Sequence, residues 1–304
     1  MKSLVVGFGS IGQRHARLLR ELGCDVAVVS SRTSPDFKTF PALPQALSAW
    51  SPGYVVVANP THAHLDTLQV LIRQGFKGRV LVEKPLFKDA APLPPHEFSM
   101  AAVAYNLRCH PVILRLKDRI RSCPDLVAAS LYTGSYLPDW RPGRDYRESY
   151  SASKARGGGV LRDLSHELDY ATLLFGPWTR LTAKGGCSGT LGIDSDDHFT
   201  LVMETAAVPV LTLHVNYLDR IPARQIRVTA GQHTFHADLM ANTLAVDGET
   251  EAFSLERDDT YRQQHRLMLA GDTGILCDFE QGLAVMETIA AAEKAAQAHT
   301  WETR

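Results

Sequence analysis

Several things are scarce in this chain, and each scarcity narrows what it can be. Cysteine is sparse and unpatterned: Cys24, Cys109, Cys123, Cys187 and Cys277 are odd in number, scattered through 304 residues and never form C-x-x-C. That argues against a disulfide framework or a zinc site and for reduced thiols. Neither sign of charge dominates, with 32 Lys and Arg against 33 Asp and Glu and a net charge of −1. No bulk electrostatic pull toward nucleic acid or an acidic membrane is therefore expected. Apolar runs stay far short of the roughly 20 residues that cross a bilayer. The N-terminus shows no basic region, apolar core and small-residue cleavage site of a secretory signal. His62, His110, His214, His233 and His236 lack the spacing of a metal site, so no metal is expected. What remains is an ordinary globular composition, 45% hydrophobic and 21% charged, long enough for about two domains and placed by expectation in the cytoplasm.

Against these absences one stretch stands out. Leu4-Val5-Val6 is a short apolar run suited to a strand buried on both faces, and it breaks at Gly7-Phe8-Gly9-Ser10-Ile11-Gly12 before an amphipathic helix from Gln13 to about Leu22. In such a G-x-G-x-x-G, Gly7 permits the tight turn, Gly9 lets the backbone approach a pyrophosphate and Gly12 lets helix and strand pack closely. The amides of Ser10 and Ile11 lie at the positive end of the helix dipole, where phosphates bind. A second strand, Asp25–Val29, ends in Ser30-Ser31-Arg32 with no acid to accept the 2′-hydroxyl of NAD. Hydroxyls and a guanidinium suit a 2′-phosphate, so NADP(H) is expected over NAD(H), held in part by Ser31 and Arg32.

The first third continues as alternating strand and helix. Tyr54–Ala58, Arg79–Val82 and Ala101–Tyr105 read as strands, and Pro41–Trp50 and His64–Gly75 as helices. This is the pattern of a doubly wound parallel sheet, assigned to residues 1–120. From about Asp125 strand-like runs follow one another: 126–132, 181–185, 198–206, 208–217, 224–230, 233–238, 243–246 and Ala252–Leu255. Turns such as Asp247-Gly248 separate them. Residues 121–304 therefore read as an α+β domain on a large, mostly antiparallel open sheet, interrupted by a helix at Leu164–Phe175 and closed by helices at Asp259–Ala270 and Ile275–Gln297.

The chemistry-bearing residues fall in two further motifs. Glu83-Lys84-Pro85 follows a parallel strand and so lies at the carboxyl end of the sheet, where ligands of such folds bind. Gly157-Gly158-Gly159-Val160-Leu161-Arg162-Asp163-Leu164-Ser165-His166-Glu167-Leu168-Asp169 opens the later helix. At helical spacing, Leu164, Leu168, Ala171 and Phe175 share one face, with His166, Asp169 and Tyr170 opposite.

Taken in order, G-F-G-S-I-G-Q-R-H, A-N-P-T-H-A-H, E-K-P, Y-N-L-R-C-H-P and G-G-G-V-L-R-D-L-S-H-E-L-D resemble the glucose–fructose oxidoreductase/inositol dehydrogenase/MocA family over essentially the whole chain. The resemblance implies a Rossmann domain, then a domain whose open sheet makes homo-oligomer contacts as a dimer or tetramer, and NAD(P)-dependent chemistry on sugars or related polyols. By position it makes Lys84 and His166 the catalytic pair. It sets Asn59, Pro60, Thr61 and His64, with Glu83 and Lys84, beside the nicotinamide. The family separates its aspartate from its histidine by four positions, whereas Asp163 and His166 are three apart. His166 keeps its offset to Asp169 and Gly176, so it takes the catalytic place and Asp163 is assigned to substrate.

The segment 134–147 is rich in aromatics and arginine. Tyr136, Trp140, Arg141 and Arg144, with Arg108, Asp163, Asp169 and Tyr170, are the expected substrate contacts. The arginines suit a carboxylate or phosphate and the rings suit a sugar or base. An oxidoreductase acting on a sugar, sugar acid or nucleotide sugar is the leading expectation. A non-catalytic NADP-binding regulator and a redox-assisted glycosidase are the alternatives.

Overall fold

A computed structural model describes residues 1–304, and the chain divides into two compact units. The first comprises Met1–Cys109 with Arg257–Met286, the second His110–Glu256 with Glu287–Arg304.

Six parallel strands form the sheet of the first unit: β1 (Lys2–Val6), β2 (Asp25–Val29), β3 (Lys38–Phe40), β4 (Tyr54–Val57), β5 (Arg79–Val82) and β6 (Met100–Val103). Their order is β3-β2-β1-β4-β5-β6, that of a doubly wound Rossmann sheet. The helices α1 (Ser10–Glu21), α2 (Leu43–Trp50) and α3 (His64–Arg73) connect the strands. Leu4, Val5 and all of β4 are shielded from solvent, as continuous apolar runs demand in a parallel sheet covered on both faces. The order reverses between β1 and β4, so the crevice for a ligand opens at their carboxyl ends.

The second unit begins with α4 (Pro111–Arg121), whose first turn is capped by His110: its Nδ1 accepts the Val112 amide. The long strand β7 (Leu126–Gly134) leads into irregular chain, a short helix α5 (Val160–Asp163) and then α6 (His166–Phe175). The helix expected from Leu164 thus starts at His166, after a two-residue break that follows α5. The strands β8 (Trp178–Gly186), β9 (His198–Thr205), β10 (Val210–Asn216), β11 (Ala223–Ala230), β12 (His233–Asp238), β13 (Thr243–Val246), β14 (Glu249–Ala252) and β15 (Glu302–Thr303) complete a nine-stranded sheet. Its order is β14-β13-β12-β11-β7-β10-β9-β8-β15. Only β7 and β10 run parallel. Burial alternates residue by residue along β9, the signature of a sheet with one covered face. The strand expected at Ala252–Leu255 lies at Glu249–Ala252 instead. Asp247 and Gly248 both take positive φ, and a two-residue turn of that kind starts the return strand immediately.

Two helices close the chain, α7 (Asp259–Ala270) and α8 (Phe279–Ala298). α7 belongs to the first unit. Its C-terminal carbonyls at Met268 and Leu269 accept hydrogen bonds from Arg79 Nη1 (2.8 and 2.5 Å), and Asp258 just ahead of it pairs with Arg14 and Arg17 of α1. No helix is long and apolar enough to cross a membrane.

Candidate active site

The glycine loop between β1 and α1 has the geometry its sequence demands. Gly7 has φ +95°, and a Cβ there would sit 2.5 Å from the Asn59 backbone nitrogen, so the turns after β1 and β4 touch with no room for a side chain. A Cβ on Gly12 would lie 2.1 Å from the Gly7 carbonyl oxygen. At Gly9, between them, nothing lies within 4 Å. No side chain caps α1 and no acid occupies its first turn, which leaves the amides of Ser10 and Ile11 and the positive dipole end facing that space. The buried Oδ1 of Asn59 has no hydrogen-bond partner, while its Nδ2 donates to Thr67 Oγ1. An open glycine cradle, uncapped amides and an unmet acceptor at the reversal of strand order fit a dinucleotide: phosphates at the loop, and a donor such as a carboxamide at Asn59.

Ser31 and Arg32 are exposed just beyond β2, and the Arg32 amide donates to Ser30 Oγ. Pro60 and Thr61 follow Asn59 at the surface end of β4. Two residues assigned to the cofactor turn inward instead. His64 is buried, with Nε2 facing the Asn59 carbonyl (3.0 Å) and Nδ1 facing the carbonyls of Pro85 and Leu86 (3.2 and 3.1 Å). It ties the turn after β4 to the turn after β5, and burial pushes its pKa below the usual imidazole value. Glu83 spends both carboxylate oxygens on protein, Oε1 on His15 Nε2 (2.8 Å) and Oε2 on the Lys84 amide (3.1 Å). Despite the cost of its burial, the His15 hydrogen bond and the nearby charge of Lys84 hold its pKa below the usual value. Lys84 itself is partly exposed at the carboxyl end of β5, and its bond to Pro85 is cis.

In the second unit His166 starts α6 and is partly exposed. The residues expected around it separate into lining and support. Asp163 is buried between two phenols, Tyr150 donating to Oδ1 and Tyr217 to Oδ2, both at 2.6 Å. Tyr170 is fully buried and donates to Glu167 Oε1, which also receives Thr133 and Arg224. Asp169 is 1% exposed. Asp169 and Tyr170, expected as substrate contacts, are therefore buried instead, and Glu167 and Tyr170 belong to a polar interior linking α6 to β7 and β11. Arg108, in the first unit, is likewise structural. It is 3% exposed, and its Nη1 donates to the Leu276 carbonyl (3.1 Å) and Gln281 Oε1 (2.7 Å).

The aromatic–arginine segment does form a cavity, of about 500 Å³, lined by Trp140, Arg141, Arg144, Tyr146, Ser149 and Ser151 among others. Trp140 is held edge-on to Tyr217, its Nε1 donating to Ser135 Oγ (2.9 Å). Tyr136 lies under the Arg220 guanidinium and is not among the lining residues. Tyr146, one of the rings of the segment expected to stack on a sugar or base, also lines the cavity, whereas Ser149, two residues beyond the segment, is a lining residue that sequence reasoning missed.

Residues 129–236 match the GFO/IDH/MocA C-terminal domain. No curated protein sequence matches the chain. Among solved structures, UDP-N-acetylglucosamine 3-dehydrogenase GnnA from Acidithiobacillus ferrooxidans is 21% identical over 98% of each chain, with a TM-score of 0.78. A levoglucosan dehydrogenase in complex with NADH and L-sorbose is 14% identical over 100% of this chain and 98% of its own, at 0.86. GenD2 from gentamicin A biosynthesis, in complex with NAD, is 21% identical over 100% and 96%, at 0.81. The chain thus joins a Rossmann sheet to a segment, residues 129–236, that matches the GFO/IDH/MocA C-terminal domain.

Proposed function

We propose that the protein is a cytoplasmic NADP(H)-dependent oxidoreductase that transfers hydride between nicotinamide and a hydroxyl or carbonyl carbon of a sugar, sugar acid or nucleotide sugar. The observation that carries the reading is the open cradle at Gly9, framed by two glycines that tolerate no side chain, at the point where the strand order reverses. The names of the structural neighbours, dehydrogenases of a nucleotide sugar and an anhydrosugar, favour a sugar substrate. Those crystallised with NADH or NAD do not set the preference here, which rests on Ser31 and Arg32 and the missing acid after β2. Trp140, Arg141, Arg144 and Tyr146 around the 500 Å³ cavity suit a ring beside a carboxylate or phosphate. A homo-oligomer through the large sheet completes the proposal.

Bound nicotinamide supplies the hydride acceptor or donor. The remaining work falls to the chain. In oxidation, His166 takes the hydroxyl proton as hydride leaves the same carbon, and a carbonyl forms. The Lys84 ammonium hydrogen-bonds that oxygen and offsets the negative charge gathering on it; reduction runs the same steps backward.

A panel of sugars, sugar acids and nucleotide sugars, followed by absorbance of NADPH and NADH, tests the activity. Turnover with a higher kcat/KM for NADP⁺ is expected, and a preference for NAD⁺ overturns the cofactor assignment. His166→Asn should lower kcat by roughly 10²- to 10⁴-fold while NADPH binding persists. Unchanged turnover would remove His166 from the mechanism.

A further inference from the structure

A buried hydrogen-bond chain crosses the first unit, and no step above uses it. Tyr54 Oη on β4 lies 3.0 Å from His265 Nδ1 on α7, His265 Nε2 lies 2.8 Å from His15 Nδ1 on α1, and His15 Nε2 lies 2.8 Å from Glu83 Oε1 after β5. Tyr54, His15 and His265 are fully buried. The protons can be placed by inventory. Burial keeps the Tyr54 hydroxyl protonated and the His265 ring neutral, and Glu83 is held ionised. In one arrangement Tyr54 O–H donates to His265 Nδ1, His265 Nε2–H to His15 Nδ1, and His15 Nε2–H to Glu83 Oε1. The opposite tautomer of His265 reverses the two upper bonds, His15 Nδ1–H donating to His265 Nε2 and His265 Nδ1–H to Tyr54 Oη, and leaves His15 Nε2–H on Glu83. In either arrangement the chain ends on Glu83, whose other oxygen accepts the Lys84 amide.

Filling space does not require this arrangement, since buried polar groups of this kind are often replaced by apolar ones with no loss of stability. Its end point suggests its purpose. We propose that His265 is a positioning residue for the hydride-transfer site: through His15 it locks the Glu83 carboxylate against the backbone of Lys84, fixing how that lysine leaves β5. The proposal rests on Lys84 being the catalytic amine.

Two readouts that need neither turnover nor cofactor test it on the full-length protein: ¹⁵N NMR of the histidine rings and the acetylation rate of Lys84, mapped by mass spectrometry with acetic anhydride. Wild type should show a neutral His265 ring and a protonated His15 Nε2. His265→Leu, which keeps volume and loses both hydrogen bonds, should change the Lys84 acetylation rate several-fold, leave exposed Lys294 unchanged and alter the His15 signals. His265→Gln, able to accept from Tyr54 and donate to His15, should restore both. If the leucine variant does not fold, Tyr54→Phe removes the phenol hydroxyl alone and should shift the same signals by a smaller amount. Unchanged Lys84 reactivity in a folded His265→Leu or Tyr54→Phe protein, or no rescue by glutamine, overturns the proposal. A wild type that oxidises and reduces no sugar refutes the proposed activity instead, and leaves both readouts interpretable.

Discussion

The two units bury carboxylates by different means. In the first, Glu83 is met by an imidazole and a backbone amide, and the imidazole is backed by a neutral chain that ends at a tyrosine. In the second, Glu167 Oε1 gathers Arg224 at 2.8 Å, Thr133 and Tyr170, while Oε2 has no hydrogen-bond partner. Asp163, close by in sequence, is held by two phenols. A buried negative charge needs donors of good geometry, and a cation is one way among several to supply them. The choice decides how each interior fails. Where one guanidinium carries most of the load, one substitution removes it. Where neutral donors share the load, proton chemistry is the weak point.

The largest effect is therefore expected at the ion pair. Arg224→Met should destabilise the second unit by about 3–5 kcal/mol, read from the denaturant midpoint, because it strands Glu167 in a dry interior; a loss under 1 kcal/mol would dissolve the contrast between the units. Acid should come next and touch both. His265 in the first unit and His110 in the second are buried with lowered pKa, His110 to about 4. Unfolded histidine takes its proton near pH 6.5 and these folded ones do not, so the contribution is intact above 6.5 and is lost as pH falls from 6.5 toward 4. For His110 the loss between pH 7 and 5 is about 2 kcal/mol, and His110→Asn, which keeps an acceptor at the helix cap, should flatten that part of the pH dependence. The smallest change is expected from Tyr217→Phe, about 1.5 kcal/mol, since Tyr150 still serves Asp163. A loss equal to that of Arg224→Met would mean that phenols and guanidinium bear the same load.

Much of the first unit was legible because its strands are short apolar runs between helix signals, and β2 and β5 carry the expected limits. β3 was not, because Lys38-Thr39-Phe40 gives three residues with one buried side chain and no period to read. α4 also escaped notice, although His110-Pro111 and the apolar spacing of Val112, Ile113, Leu116 and Ile120 mark it in hindsight. β14 hid for the opposite reason: every residue of Glu249–Ala252 is exposed, so an edge strand offers no apolar pattern, and the apolar residues just after it drew the assignment. At the candidate site the glycine loop could be read residue by residue, since backbone sterics leave little choice. The face of α6 could not. A helix buried on a polar network places Glu167 and Tyr170 inward, and hydrophobic periodicity cannot distinguish a satisfied buried carboxylate from a solvated one.

That residues 257–286 complete the first unit has a consequence for how the protein is made. When a ribosome has released the six strands of the leading sheet, His15 still lacks its neighbour, and it must wait while eight of the nine strands of the second sheet are synthesised. The parallel-sheet unit, whose strands precede the second sheet in the chain, is therefore among the last to be finished, and a truncated or stalled chain carries its glycine loop on an incomplete base.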